Sequence, residues 1–350
     1  MTSIFDPLRV GALDLPNRII MAPMTRSRAD ANGVPLDMVA DYYAQRADCG
    51  LILSEAIYVS DMAKGYVRTP GLANAAQVAG WKRVTDAVHA KGGRMFAQLF
   101  HTGRVAMPDF LPGGAQPVAP SAIAINGKNW TDSGQKPHVV PRALETDEIA
   151  GIAGEFAQAS LRAIEAGFDG VEIHAASGYL IHQFLDASMN TRTDIYGGSV
   201  ENRARFLLLV ADRVIEVIGR ERVGLKVSPR IQFNDVQDLD AEEIYPHVAR
   251  EMSARGIAYL HGAKQGGYEV HAHLRPLFKG LYFAGAGFDK AGGDALLVSG
   301  GADAIVYGKP YIANPDLVNR MRSGLALAEP DGSTIYGGGA KGYVDYPAAD

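Results

Sequence analysis

The stretch GFDGVEIHAASGYLIHQFLDASMNTRTDIYGGSVENR, residues 167–203, decides the fold. It begins with a short apolar strand, Gly170–Ile173, which we expect to break at His174, where polar residues follow. His174, Ser177 and Tyr179 offer an imidazole, a hydroxyl and a phenol within six positions. A strand that ends in hydrogen-bonding groups usually delivers them to a pocket. In a barrel of parallel strands, that pocket lies at the carboxyl end of the strands.

Apolar runs typical of strands recur along the chain, each followed by a helical pattern. They lie at Arg18–Met21, within Gly50–Val59, and at Arg94–Leu99, Gly170–Ile173, Val223–Ser228, Tyr259–His261, Leu281–Ala284 and Ala304–Tyr307. Short, nearly continuous apolar runs are typical of strands buried on both faces of a parallel sheet. The eight alternations predict an α/β fold, a (β/α)8 TIM barrel, rather than a doubly wound sheet.

Capping residues mark where several helices begin. The predicted cap patterns are Asn74 with Gln77, Thr146 before Asp147 and Glu148, Ser199 alone, and Asp240 with Glu243. Pro246 lies beyond the first turn of the helix that would begin at Asp240, and it weakens the helical pattern there.

Two segments lie outside the alternation. Residues 8–17 predict a small hairpin ahead of the first strand, which would close the bottom of the barrel. Residues 107–146 are rich in Pro, Gly and Ser and too long for an ordinary connection, so they predict an insertion after the third strand. Because no linker divides the chain, we expect residues 1–350 to form a single domain.

Composition excludes several classes of partner. The chain has 47% hydrophobic and 21% charged residues, which is ordinary for a globular enzyme. Its 34 basic and 39 acidic residues give a net charge of −5, which argues against nucleic acid or an anionic membrane as partner. A single cysteine, Cys49, excludes an internal disulfide framework. With no membrane-span or secretory-signal pattern either, we expect a cytoplasmic protein that binds a small molecule.

Motifs of a known family recur in order along the predicted strands. They are NRIIMAPMTRSRA (17–29), SEA (54–56), QLFHTGR (98–104), HAASGYLIHQFL (174–185), YGGSVENR (196–203), YGKPYIANPDL (307–317) and TIYGGGAKGYVDYP (334–347). Through them the chain resembles the Old Yellow Enzyme family of flavin-dependent ene-reductases. The resemblance implies a barrel that holds FMN over its carboxyl end and uses NADPH or NADH to reduce it. Hydride then passes from flavin N5 to the β-carbon of an activated alkene, and reductant and alkene use the same pocket in turn.

The resemblance assigns roles on the substrate side of the pocket. Tyr179 matches the proton donor, although a tyrosine there would otherwise be read as a core residue bonded to a backbone carbonyl. His174 matches the first donor to the activating oxygen of the substrate. Ser177 takes the place of the second donor, where the family has Asn or sometimes His. The shorter serine predicts weaker activation of simple enones. The candidate pocket walls are Tyr66, Phe100 and Tyr336.

The resemblance also implies an FMN site. The residues expected to contact the ring are Pro23, Met24 and Thr25 beneath it, Ala56 through its backbone, Gln98 at the pyrimidine edge, and Lys226 at the N1–O2 edge. Those expected to bind the phosphate are Ala286, Gly287, Gly308 and Lys309. The family has Arg where Lys226 and Lys309 stand and Gly where Ala286 stands. Because an alanine strongly disfavours a left-handed backbone, we expect a negative φ at Ala286.

These patterns predict an FMN-dependent NAD(P)H oxidoreductase that reduces electron-poor C=C bonds of enones, maleimides or nitroalkenes. Two alternatives stay open at this point: a redox-neutral flavin-dependent isomerase that moves a double bond, and a weakly active flavin-binding barrel. The sequence leaves the natural substrate, the choice of NADH or NADPH, and monomer or homodimer open. His271 and His273 form an H-x-H pair, but no third ligand accompanies them, so we expect no metal site.

Overall fold

The computed structural model describes residues 2–349. Its strands are β1 (Leu8–Val10), β2 (Leu13–Leu15), β3 (Ile19–Met21), β4 (Leu51–Leu53), β5 (Ile57–Tyr58), β6 (Met95–Phe100), β7 (Val118–Ala119), β8 (Lys128–Thr131), β9 (Gly134–Pro137), β10 (Arg142–Ala143), β11 (Gly170–Ala175), β12 (Val223–Val227), β13 (Tyr259–Ala263), β14 (Leu281–Gly285) and β15 (Ala304–Tyr307). Its helices are α1 (Asp37–Ala44), α2 (Ala75–Ala90), α3 (Glu148–Glu165), α4 (Leu180–Leu185), α5 (Val200–Ile218), α6 (Ala241–Arg255), α7 (Val270–Leu274), α8 (Lys290–Val298), α9 (Lys309–Ala313) and α10 (Leu317–Ser323).

Parallel strands close into a barrel. The order around it is β3, β4, β6, β11, β12, β13, β14 and β15, and β15 pairs back to β3. Helices follow the strands on the outside, so the predicted (β/α)8 barrel is confirmed. The second predicted strand is split into β4 and β5 by residues 54–56, and β5 continues the pairing with β6.

The prediction that the fourth barrel strand breaks at His174 is wrong. Strand β11 continues to Ala175, because His174 and Ala175 keep their register with Lys226 and Val227 of β12. A polar side chain does not end a strand when its backbone stays in the ladder. His174 therefore lies on a rigid strand, which fixes the direction of its side chain.

The predicted N-terminal hairpin is confirmed, and it packs against the bottom of the barrel. Strands β1 and β2 pair antiparallel, with Leu8 opposite Leu15. Val10 and Leu15 are buried in an apolar cluster inside the barrel. Its other buried members are Ile20, Leu51, Leu53, Phe96, Tyr259, Phe283, Ala304 and Val306. This cluster fills the lower barrel, so a site can form only above it.

Two of the predicted helix caps form. Asn74 and Gln77 make the reciprocal capping box of α2, and the Ser199 side chain accepts from the N–H of Asn202 at the start of α5. The predicted Asp240–Glu243 cap is wrong, because the Asp240 carboxylate binds Arg203 instead of capping α6.

The start of α3 and the course of α6 also differ from expectation. Thr146 does not cap α3, because its hydroxyl donates to the Asp194 carboxylate at 2.5 Å and the helix begins at Glu148. Helix α6 runs through Pro246 without a break. Its apolar residues Ile244, Val248 and Met252 are buried, and this packing outweighs the local cost of the proline.

The predicted insertion has its own small elements. Strands β7 and β10 pair parallel, and β8 and β9 form an antiparallel hairpin. The Asn129 side chain of β8 donates to the carbonyls of Gly65 (2.8 Å) and Val105 (3.0 Å), which ties the hairpin to the loop that carries Tyr66. Within residues 2–349, no helix combines the length and the apolar character that a membrane crossing requires.

Candidate active site

Alternating residues of the barrel strands put polar side chains above the apolar cluster. Glu172 and His174 of β11 point to the same face of the strand, since side chains alternate with a period of two. The register pairs Glu172 with Gln98 on β6, and His174 with Lys226 on β12. The upper barrel is therefore lined by an acid, an amide, an imidazole and an ammonium group.

His174 is buried, and its ring nitrogens have no hydrogen-bond partner in the described residues. Neither ring nitrogen hydrogen-bonds another residue between 2 and 349, and Nδ1 is fully buried without a partner. Burial, reinforced by the nearby Lys226 cation, lowers the pKa of His174 well below its ordinary value. The imidazole is thus neutral at physiological pH, with one N–H to donate and one nitrogen to accept.

Ser177 lies in a tight turn after β11, with φ +59°. Its N–H donates to the Ser228 hydroxyl at 3.0 Å, and its carbonyl accepts from the Asn234 amide at 2.8 Å. The Ser177 hydroxyl bonds no other residue in the described part of the chain, so it is free to donate to a ligand.

Tyr179 meets the other aromatic side chains of the candidate site. Its hydroxyl lies 3.1 Å from the Tyr66 hydroxyl, rather than on a backbone carbonyl. Its ring packs edge-on against His174 (centroids 4.9 Å apart) and Phe100 (5.2 Å). Burial raises the pKa of Tyr179 well above its ordinary value, so the phenol holds its proton at neutral pH. The structure therefore brings Tyr66, Phe100, His174 and Tyr179 together.

Below these residues lies a buried polar cluster around Glu172. Gln98 Nε2 donates to Glu172 Oε1 at 2.7 Å, and His261 Nδ1 lies 3.1 Å from Glu172 Oε2. Burial opposes the charge on Glu172, but His261 and Lys226 outweigh it and lower the pKa of the carboxyl. Burial lowers the pKa of Lys226, although the Glu172 carboxylate opposes this shift. Lys226 forms no ion pair within 4.0 Å anywhere in residues 2–349.

The loop after β3 carries Pro23, Met24 and Thr25, all half-buried. Glu55, beside Ala56 in the gap between β4 and β5, accepts from the N–H of Arg26 at 3.1 Å. This contact fixes the end of the loop next to the barrel mouth.

The Arg26 guanidinium ties the same loop to the C-terminal segment, residues 331–349. It donates to the carbonyls of Ile335 and Gly342, both at 2.9 Å. Arg28 donates to the Thr334 carbonyl at 2.8 Å. Tyr336, carried by this segment, is 70% exposed. Its phenol contributes to the raised pKa of both Tyr66 and Tyr179, so its place as a pocket wall stays a prediction.

The expectation of a negative φ at Ala286 is wrong. Ala286 has φ +75° and Gly287 has φ +85°, so both lie in the left-handed region after β14. They line a cavity of about 790 Å³ together with Lys264, His271 and Phe288. A Cβ added to Gly287 would meet nothing within 4 Å, so the backbone there stands open to a ligand.

On the other side of the predicted phosphate site, Gly308 and Lys309 begin α9. Gly308 lies close to the first strand's loop, because a Cβ there would stand 3.8 Å from the Met24 sulfur. The Lys309 ammonium pairs with Glu329 at 2.7 Å on the exposed surface. Lys309 would have to exchange this partner to reach a phosphate.

Comparison with known proteins identifies this arrangement. The sequence model of the NADH:flavin oxidoreductase / NADH oxidase family matches residues 3–328. The chain belongs to this family. The expected resemblance to Old Yellow Enzyme is confirmed at the same time, because a solved Old Yellow Enzyme homologue from Zymomonas mobilis is 42% identical with a TM-score of 0.96. That match covers 99% of each chain.

Other members of the family are similar over nearly the whole chain. A probable flavin mononucleotide-dependent alkene reductase from Leishmania infantum is 43% identical, over 98% of this chain and 97% of the relative. The structure of morphinone reductase in complex with tetrahydroNAD is 48% identical with a TM-score of 0.97, over 100% of this chain and 98% of that one. Because these relatives are named reductases, the isomerase and the weakly active barrel are not favoured.

The residues of the upper barrel fit the FMN on which the family depends. Gln98 gives its amide hydrogen to Glu172, which leaves Oε1 to accept from an N–H of a bound ring. The Lys226 cation suits an edge that gains negative charge on reduction. The open Gly287 backbone suits a phosphate, whereas Lys309 fits only after rearrangement.

Several residues of the site were not predicted. Glu172 was detectable, because it is a lone acid two residues before His174 on the same face of an apolar strand. His261 and Asn234 carry no comparable signal, since their partners lie 89 and 57 residues away. No group of three metal-ligating side chains occurs in the described residues. His271 packs edge-on against Tyr282, and His273 packs at a tilt against Tyr268.

Proposed function

We propose that this protein reduces C=C bonds conjugated to a carbonyl or nitro group, with FMN as cofactor and NADPH or NADH as reductant. The observation that carries the proposal is the packing of a neutral His174 ring, which has no hydrogen-bond partner in the described residues, against the Tyr179–Tyr66 hydroxyl pair. Ser177 lies in the turn between His174 and Tyr179. All of them lie at the carboxyl end of the barrel, above the Glu172–Lys226 cluster that would hold FMN. Bound FMN supplies the hydride.

His174 and Ser177 hold the activating oxygen of the substrate. Negative charge builds on that oxygen as the β-carbon receives hydride. Fixed donors therefore stabilise the transition state more than the bound substrate. A neutral His174 is suited to this role, because it donates without bringing a full charge into the buried site.

Tyr179 donates the proton that completes the saturated product. Its raised pKa keeps the proton in place until a strongly basic, enolate-like carbon forms beside it. The Tyr66 hydroxyl, 3.1 Å away, can then donate to the phenolate that Tyr179 becomes. Hydride and proton together account for the two hydrogens added to the alkene.

The proposal extends to the setting of the reaction. Residues 1–350 act as a single FMN-binding domain, in the cytoplasm, as a monomer or a homodimer. The lone and buried Cys49 supports a reducing compartment, because it offers no disulfide within the chain.

Anaerobic titration of FMN-loaded protein tests the proposal. We expect NADPH or NADH to bleach the flavin absorbance, and cyclohexenone, maleimide or a nitroalkene to restore it with formation of saturated product. Tyr179→Phe should slow reoxidation by an enone about 10²- to 10⁴-fold while leaving flavin reduction near the wild-type rate. Double-bond migration without net NAD(P)H consumption would contradict the proposal.

A further inference from the structure

A fully buried histidine lies three residues after Tyr179, on α4. His182 Nδ1 accepts from the Gly178 N–H at 3.1 Å. Its Nε2 lies 3.0 Å from both carboxylate oxygens of Asp238 and 2.7 Å from the Tyr245 hydroxyl. His182 and Asp238 are both 0% exposed, so water does not substitute for any of these contacts.

These contacts determine the tautomer of His182. A backbone N–H can only donate, so Nδ1 has to be the acceptor and the ring hydrogen of a neutral imidazole lies on Nε2. That hydrogen donates to the Asp238 carboxylate. The Tyr245 hydroxyl donates to Asp238 Oδ2 at 2.8 Å, so all polar atoms of the cluster are satisfied.

The residue held by His182 is the centre of the turn that carries the candidate catalytic groups. Gly178 stands between Ser177 and Tyr179 and has φ +72°. Its carbonyl accepts from the Gln183 amide at 2.8 Å. The peptide joining Ser177 to Gly178 is itself held on both sides, at its N–H by His182 and at its carbonyl by Asn234.

Asp238 belongs to the loop between β12 and α6, residues 228–240, which covers the same turn. Its Oδ2 accepts from the N–H of Arg230 at 2.7 Å. Asp186, at the end of α4, accepts from the N–H of Gln237 at 2.9 Å. The loop returns to the turn through Asn234, whose amide donates to the Ser177 carbonyl. The His182–Asp238 contact thus joins loop and turn below the mouth.

We propose that the cluster of His182, Asp238 and Tyr245 is a positioning device for the reaction. Asp238 holds His182 in the tautomer that accepts the Gly178 N–H, and this bond places the Ser177 and Tyr179 hydroxyls relative to the substrate. His182 is a positioning residue, since it acts through Gly178. The expected kinetic effect rests on the proposed function, whereas the hydrogen bond between His182 and the Gly178 N–H does not depend on it.

Asp238→Asn tests the tautomer directly. The Arg230 N–H can only donate and requires an acceptor at the Oδ2 position, so the asparagine oxygen occupies it. The new NH2 group then stands at the Oδ1 position, 3.0 Å from His182 Nε2, where it repels an Nε2–H and favours the tautomer in which Nε2 accepts. The ring hydrogen moves to Nδ1, where it opposes the Gly178 N–H. The variant keeps the size of the Asp238 side chain and exchanges the donor and acceptor nitrogens of the His182 ring.

Two substitutions of His182 separate the two contacts. His182→Asn places an amide oxygen near the former Nδ1, so it keeps an acceptor for Gly178 while losing the link to Asp238. His182→Leu loses both. We expect reoxidation of FMN-loaded, reduced enzyme by cyclohexenone to slow about 10- to 100-fold in Asp238→Asn and His182→Leu, the usual range for a lost supporting partner. His182→Asn should stay close to the wild-type rate.

Asp169→Asn is the matched control. Asp169 also pairs with a histidine, His89, at 3.1 Å and accepts from the Met95 N–H at 2.8 Å, but this partly exposed pair lies just before β11, at the bottom of the barrel. It should lower the melting temperature without slowing reoxidation. An Asp238→Asn variant that loses stability but keeps the wild-type reoxidation rate would overturn the proposal, as would a His182→Asn variant as slow as His182→Leu.

Hydrogen exchange at the Gly178 amide provides a readout that does not depend on activity. We expect fast exchange in Asp238→Asn and His182→Leu, and slow exchange in the wild type, His182→Asn and Asp169→Asn. Equal exchange in all five proteins would overturn the proposal. If the wild type reduces no alkene, the proposed function fails, and the exchange pattern still decides whether the cluster holds the turn.

Discussion

The hydroxyl of Tyr66 lies 3.1 Å from that of Tyr179, although 113 residues separate them in the chain. Burial raises the pKa of Tyr66 to about 12, so both phenols are protonated at neutral pH. The pair can therefore share the charge that remains when one proton is given to a substrate.

Tyr66→Phe tests this sharing. A hydrogen bond to a charged group contributes about 1.5–3 kcal/mol, so the variant should slow the alkene-dependent reoxidation about 10- to 100-fold. Flavin reduction by NADH or NADPH needs no proton from Tyr179 and should change little. Stopped-flow absorbance measures both half-reactions. An equal loss in the two would show that Tyr66 shapes the pocket rather than supporting proton transfer.

Ser177→Asn should improve both stability and turnover. At φ +59°, asparagine is tolerated better than serine, and its longer amide reaches further toward a substrate oxygen. We expect the free energy of unfolding to rise by about 0.5 kcal/mol and enone turnover by about tenfold. Ser177→Gly is the matched control, since it relieves the backbone but supplies no donor. If glycine raises turnover as much as asparagine, the donor is irrelevant.

Lys226 and Glu172 should shift the reduction potential of bound FMN in opposite directions. Lys226→Met removes a buried cation and should lower the potential, because the reduced flavin loses a stabilising charge. Glu172→Gln removes a buried anion and should raise the potential. Equilibration with redox dyes measures both. Shifts of the same sign would mean that altered packing, rather than charge, dominates.

Ala286→Gly should strengthen FMN binding. Alanine at φ +75° costs about 1 kcal/mol, which glycine avoids apart from its larger entropy in the unfolded chain. The net gain in unfolding free energy should be about 0–1 kcal/mol. Ala31→Gly, at an exposed turn without a positive φ, should be neutral or destabilising. Fluorescence titration measures the FMN affinity of the two variants, and urea unfolding measures their stability. Equal effects of the two substitutions would show that the positive φ at residue 286 is not the cause.

Glu55 should make stability depend on pH. Burial raises its pKa from 4.5 to about 7. The folded chain therefore keeps a proton that the unfolded chain releases above pH 4.5. Its stabilising effect is complete below that pH, and stability falls as the pH rises to about 7, by at most about 3 kcal/mol.

Glu55→Gln should remove this part of the pH dependence. The amide retains an oxygen for the Arg26 N–H, whereas the ionisable group is gone. Urea unfolding at intervals from about pH 5 to about pH 8 measures the difference between the two proteins. Other groups, such as Asp48 with a pKa of about 6, titrate in both proteins, so their contributions cancel in the difference between the two unfolding free energies. Parallel curves would show that Glu55 does not titrate in this range.

The strand pattern was predictable, because strands buried on both faces leave apolar runs such as Ala304–Tyr307. The polar residues that follow such runs, His174 and Tyr179 among them, were also predictable as a group. Details that depend on distant partners were not. Asp240 pairs with Arg203 instead of capping its helix, and that choice is set by the packing of α5 on α6.

Backbone conformation was harder to predict than element type. Ser177 and Ala286 both adopt a positive φ, although neither residue type favours it. The surrounding contacts impose it: Ser228 and Asn234 hold both backbone groups of Ser177. Likewise, His182 carries no signal of its role, since Asp238 follows 56 residues later in a loop without a recognisable pattern.

The hairpin beneath the barrel decides how the reactants meet. Because Val10 and Leu15 fill the lower end, the nicotinamide donor and the alkene of the proposed function would have to use the same mouth. We expect the two reactants to compete for the same space, so that neither binds while the other is present. Under the proposed function, turnover follows a ping-pong scheme. A large excess of alkene then inhibits by binding to the oxidised enzyme, and a large excess of nicotinamide donor inhibits by binding to the reduced enzyme.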